Sequence, residues 1–110
     1  MKNINDVKTL IPRLCAKKHI VFNDDEWSAD YKIDWESELS KLMSDVVNDI
    51  EKLIKGVESD DDVLSVAAIT MARIRFLKLS DFFLDIHEDF ERLLSTDEIE
   101  WPKIGDDYNY

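Results

Sequence analysis

Two glycines and two prolines in 110 residues leave this chain few tight turns, which argues against a many-stranded fold. A single cysteine, Cys15, excludes an internal disulfide; it sits in an apolar helical register, so burial in a reducing compartment is expected. No apolar run approaches the roughly 20 residues of a membrane span. The opening MKNINDVKTLIPRL lacks the uninterrupted apolar stretch of a signal peptide, so the chain is expected to be cytoplasmic. Histidine is scarce, and Leu84 stands three residues before His87 where a Glu-x-x-His metal pair would need Glu. Gly-rich phosphate loops, GxSxG and CxxC patterns are missing. No catalytic residue, metal or cofactor is therefore assigned, and the chain is not expected to be an enzyme.

Basic residues are also in deficit. Fourteen Lys and Arg against 25 Asp and Glu leave a net charge of −11, which repels nucleic acid and anionic membranes and attracts basic partners. A hydrophobic content of 45% is too high for a disordered acidic chain, and the length suits one domain, residues 1–110.

What the chain does hold is helical periodicity. Residues 3–18 carry Ile4, Val7, Leu10, Ile11, Leu14 and Cys15 on one stripe, with Asn3 or Asn5 as N-cap. Pro12 lies inside the pattern and either kinks this helix or opens a shorter one. Lys2, Lys8, Arg13, Lys17 and Lys18 against Asp6 make it the one basic stretch, at +4. A second helix is expected over 34–55, capped by Asp34, apolar at Leu39, Leu42, Met43, Val46, Val47, Ile50, Leu53 and Ile54, and stopped at Gly56. Ser59 and Asp62 resemble a capping box for a third helix beginning near residue 60.

That third stretch, Val63 to Leu94, organises the rest. Its first half is apolar on more than one side, with Val63, Val66, Ala67, Thr70, Ile74 and Leu77 on one face and Leu64, Ala68, Met71 and Leu79 roughly opposite. Such a helix is expected to be buried between neighbours. The stripe of Phe82, Phe83, Ile86, Phe90 and Leu93 is turned by about half a rotation at 100° per residue. A break at Leu79-Ser80-Asp81 explains the shift, and a kinked continuous helix is the alternative. The expected fold is all-α: a mostly antiparallel four-helix bundle of about 3–18, 34–55, 60–79 and 81–94, with irregular acidic and aromatic segments at 19–33 and 95–110.

All three Trp and all three Tyr lie in residues 23–36 and 95–110, which carry −5 and −4. Trp and Tyr have an apolar body and a polar end and dominate interface hot spots. The candidate partner-binding residues are therefore Asp24, Asp25, Glu26, Trp27, Asp30, Tyr31, Asp34, Trp35, Glu98, Glu100, Trp101, Asp106, Asp107, Tyr108 and Tyr110. Trp27 and Trp35 are the better candidates for packing back on the bundle, and Tyr108 and Tyr110 for remaining free.

With DDEWSADYKIDWE and DDYNY set in a small, acidic, helical chain, the protein resembles, as a class, bacterial toxin-immunity proteins of the colicin or contact-dependent-inhibition type. The resemblance implies a cytoplasmic inhibitor, monomeric or in a 1:1 complex, whose acidic and aromatic segments block the cleft of a basic nuclease toxin domain. A second class of function is a helical adaptor or assembly subunit that works through apolar helix faces, with the Phe82–Phe83 region as its contact.

Overall fold

The computed structural model describes residues 3–110 and is all-helical among them. Lys2, counted above with the basic stretch, lies outside the described residues. Three α-helices follow one another: α1 (Ile4–Lys17), α2 (Trp35–Glu58) and α3 (Asp62–Ser95), with a short 3-10 turn at Asp24–Glu26. The expected break at Ser80 does not occur, so three helices stand in place of four. Nor is the molecule a compact bundle. Its radius of gyration is 19.6 Å and its extents are 59 × 36 × 25 Å, against about 13 Å for the radius of a globular chain of this length.

Local chemistry sets the helix ends. Asn3 caps α1 through a capping box with Asp6, and Pro12 is carried inside the helix. Asp34 caps α2 by accepting from the Ser37 N–H. The cap of α3 is Asp61, which accepts from the Leu64 N–H at 3.0 Å, not Ser59. Ser59 instead closes α2, its hydroxyl donating to the Lys55 carbonyl. Helices α1 and α2 both end in the same hydrogen-bond pattern. The Ile20 N–H reaches back to the Cys15 carbonyl at 2.9 Å, and the Asp61 N–H to the Gly56 carbonyl at 2.8 Å. Each pattern needs a left-handed residue, and His19 (φ 59°) and Asp60 (φ 54°) adopt it without glycine.

Gly56 is therefore no stop signal; it lies buried inside α2, and its role is close approach. A methyl group there would sit 2.6 Å from Ser65 Oγ and 2.9 Å from the Ser65 backbone nitrogen. Beyond it the antiparallel α2–α3 seam follows a 3–4 spacing. It runs through Trp35, Leu39, Leu42, Val46, Asp49, Leu53 and Gly56 on one helix, and Ser65, Ala68, Ala72, Arg75, Leu79, Phe82 and Ile86 on the other, all buried or half-buried, and the same α3 stripe continues past α2 as Asp89 and Leu93. Early in α3 the seam is made of small residues. The Val63–Leu77 stripe, expected to be buried, faces out: Val63, Val66, Ala67, Thr70, Ile74 and Leu77 are all exposed.

At 1.5 Å per residue α3 is roughly 51 Å long and α2 roughly 36 Å, so the last turns of α3 run past the start of α2. There the chain builds a base. Helix α1 brings Ile11 and Cys15 against Leu93, the 19–34 segment adds Ile20, Phe22, Trp27 and Tyr31, and the tail folds back with Ile99 and Trp101. Cys15 is buried as expected, and that burial raises its thiol pKa above the ordinary value.

The Gly56 contact gives a prediction that runs against helix propensity. Alanine would favour the helix by about 1 kcal/mol, yet its Cβ would meet backbone of α3. Gly56→Ala is expected to lower stability by about 1–3 kcal/mol in chemical denaturation; a gain would show that the seam opens freely.

Candidate interaction surface

The base is organised by one carboxylate. Asp89, fully buried on α3, accepts from the Ser28 N–H at 2.7 Å, the Ala29 N–H at 3.0 Å and the Tyr31 hydroxyl at 2.8 Å. Three donors within four residues of an irregular segment are thereby tied to a helix more than fifty residues away in sequence. Burial, then the hydrogen bond to Asp89, raises the Tyr31 pKa well above 10.0. A second tie is Arg92. Its guanidinium lies 4.3 Å from the Trp27 ring centroid, and it bonds the Glu26 carbonyl and approaches the Glu26 carboxylate. No buried side-chain polar atom among the described residues lacks a partner.

This arrangement decides where the sequence candidates stand. Trp35 is 1% exposed, its indole N–H donating to the Asp30 carbonyl at 2.7 Å and its backbone N–H to Asn5 Oδ1 at 2.9 Å. Trp27, Tyr31 and Trp35 join Phe22, Phe82 and Phe83 in a continuous file of rings with centroids 5.0–6.1 Å apart. Trp101 is half-buried, its indole N–H bound to the Leu93 carbonyl and Lys18 over its ring. The four rings Trp27, Tyr31, Trp35 and Trp101 thus hold the base together. Tyr108 and Tyr110 are exposed. Among the acids, Asp25, Glu26, Asp30, Asp34, Glu98, Glu100, Asp106 and Asp107 are exposed and Asp24 is half-exposed. Several have local work: Asp25 pairs with Lys32 at 2.7 Å, and Asp34 bonds the Asn5 side chain, which lowers its pKa together with the Ser37 N–H. Glu26 and Glu98, from the two acidic segments, meet at one shallow hollow beside His19.

The larger unassigned surface lies on the hairpin. Measured from the seam at 100° per residue, Met43, Val47, Ile50, Ile54 and Val57 of α2 fall to one side. On α3, Ile69, Phe76, Phe83 and Phe90 recur every seven residues to one side, with Val66 beyond them. Because the helices are antiparallel, these two sides form a single face of the hairpin. The residues are large and open: Val66 is 63% exposed, Ile69 54%, Phe76 50% and Phe83 45%. Phe90 continues the row into an apolar cleft of about 280 Å³ lined by Leu10, Leu14, Leu94 and Trp101.

The opposite face is polar along α2 and mixed along α3, where Met71 and Ile74 are exposed beside Lys78. It carries Glu38, Lys41, Asn48 and Lys52 and the ion pairs of Arg75, which lies 3.3 Å from Asp49 and 3.9 Å from Asp45. On the same side Asp30, Glu38, Asp81 and Asp85 rim a cleft floored by Trp35, Leu42 and Phe82. Burial, then Asp81, Asp89 and Glu88, raises the Asp85 pKa. Among the described residues no three His, Cys, Asp or Glu side chains converge to hold a metal ion, and no helix is long and apolar enough to cross a membrane.

Every partner of Asp89 is a donor, with Ser28 N–H on Oδ1 and Ala29 N–H and the Tyr31 hydroxyl on Oδ2, so an amide in either orientation would set its NH₂ against a backbone N–H. Asp89→Asn is expected to cost about 2–4 kcal/mol in chemical denaturation. Tyr31 adds a pH test. Its pKa is raised on folding, so its contribution is complete below the ordinary tyrosine value of 10.0 and is lost as pH climbs above it. Wild-type stability should fall more steeply above that pH than that of Tyr31→Phe; parallel curves would contradict the assignment. No family model, curated protein or solved structure matches this chain.

Proposed function

We propose that this chain is an assembly module, a helical adaptor or small subunit that acts through the apolar face of its α2–α3 hairpin. The observation that carries this reading is the alignment of Met43, Val47, Ile54, Val57, Val66, Ile69, Phe76 and Phe83 on one face, each exposed over two-fifths of its surface or more. Scattered apolar residues on a surface need no explanation, but a contiguous face of this size marks an interaction site. A two-helix hairpin also has no second layer to bury that face against, and stable helical domains are built from packed layers.

In extracts of cells that make it, the protein is expected to elute earlier than its own elongated 12.9 kDa monomer would. Ile69→Lys combined with Phe76→Lys is expected to return it to the monomer position with an unchanged far-UV circular dichroism spectrum. Identical elution of the two proteins would overturn the reading.

One observation favours a second reading, an inhibitor of a basic partner of the toxin-immunity kind. The two acidic segments share one end of the molecule, where Glu26 and Glu98 line the same hollow. With the indoles engaged in the base, the work would fall to exposed carboxylates and to Tyr108 and Tyr110. Reversal of Asp25, Asp30 and Glu98 to Lys is then expected to slow association with a cationic nuclease domain at least about tenfold at low salt, with the difference shrinking as salt rises. An association rate that ignores both the charges and the salt would dispose of it.

A further inference from the structure

We infer that the occupant of the hairpin's apolar face is a second copy of this chain, the two hairpins packing face to face as a four-helix bundle about a twofold axis. The inference rests on the reading of that face as an interaction surface and adds what covers it. Three observations carry it.

The first is area. About half of each of the eight side chains on the face is open to solvent. On ordinary side-chain areas that is roughly 600–700 Å² per copy, close to the ~800 Å² each partner gives to a standard interface. A twofold contact uses the same patch on both copies, so one such face suffices.

The second is charge. Residues 39–80, which contain the hairpin outside the base, hold seven acids against six bases and carry only −1 of the chain's −11. The remaining −10 lies on residues 1–38 and 81–110, at the other end. Four of those acids, Glu58 and Asp60 to Asp62, cluster at the turn, so the lengths that bear the apolar face, 39–57 and 63–80, hold three acids against six bases and lack the heavy negative charge of the base. The molecule's long dimension is 59 Å, far beyond a Debye length of about 8 Å. Two copies running antiparallel therefore keep their acidic bases apart.

The third is the difference between the two helices. Helix α2 has a polar side, with Glu38, Lys41, Asn48 and Lys52, and suits the outside of a bundle. Helix α3 is apolar most of the way round from Val63 to Leu77, with Ile74 and Leu77 open on its outer side. A helix of that kind belongs between neighbours, and its own chain supplies only α2. A second hairpin on the apolar face covers Ile69 and Phe76, while Ile74 and Leu77, on the far side of α3, stay outside that contact.

The test is sedimentation equilibrium of the purified full chain over micromolar concentrations. The expected mass is twice 12.9 kDa, with Ile69→Lys plus Phe76→Lys raising the dissociation constant at least about tenfold. Asn48→Lys, on the polar face, should leave the dimer intact. A single-copy mass at every concentration overturns the second copy as occupant. If the chain in cell extracts still elutes earlier than its elongated monomer would and the paired Lys substitutions still shift it, the face binds a different protein and the reading of it as an interaction surface stands. If the extract shift is missing as well, both fail. A dimer that survives the paired Lys substitutions and is broken by Asn48→Lys places the contact elsewhere and also overturns the proposal.

Discussion

At Gly56 the backbones of α2 and α3 come so close that one added methyl group would lie 2.6 Å from Ser65 Oγ and 2.9 Å from its nitrogen. That approach continues through Ala68 and Ala72, both buried in the seam. Helices packed on small residues leave little room between them for large ones. The large aliphatics of early α3 consequently stand outside the contact that their own hairpin makes. The exposed face is therefore a direct result of the choice of residues at the seam.

The two ends of the molecule are stabilised by different means. In the base, three elements from distant parts of the chain converge on α3, and burial of Trp35, Ile11 and Cys15 is reinforced by the donors that meet on Asp89. A buried carboxylate is costly unless its acceptor sites are filled, so the 28–31 segment is held in one conformation by the cost of releasing it. The hairpin has no such convergence. Its one ionic feature in the seam is Arg75 with Asp49 and Asp45. The surface divides in the same way: acidic at one end, apolar along the hairpin at the other.

Much of this was legible in the sequence. Helix α1 with Pro12 inside it, the Asp34 cap, the burial of Cys15 and the irregular segments on either side of the helices all follow from spacing and end chemistry. The break expected at Ser80 does not, and the reason is instructive. Reading large apolar residues as the buried stripe makes the stripe appear to turn near Leu79, because the true seam before that point is written in Ser65, Ala68, Ala72 and Arg75. Once the small residues are taken as the contact, the 3–4 spacing runs unbroken to Leu93 and α3 needs no break. Asp89 was illegible for a related reason: among 25 acids, nothing local distinguishes the one that three distant donors will meet. The base's ring file was half legible. Trp27, Tyr31 and Trp35 stand four residues apart, but their partners Phe22 and Phe82 are supplied by tertiary structure alone.

Register converts this composition into a surface. Asp49 sits in the α2 seam, and Arg75 reaches it from the α3 seam on the polar side of the hairpin. Sliding one helix along the other would part that pair, leaving Asp49 buried without its cation, and would drive a Cβ against Gly56 from the other end. Polar groups at a helix contact commonly set register at some expense of stability, and here the pair and the glycine agree on a single alignment. In that alignment Met43, Val47, Ile54 and Val57 lie alongside Val66, Ile69, Phe76 and Phe83. A slip of one residue would rotate half of them away. The pair and the glycine therefore contribute little apolar area themselves, yet they determine that the apolar residues of α2 and those of the Ile69–Phe83 row come to the same side of the hairpin.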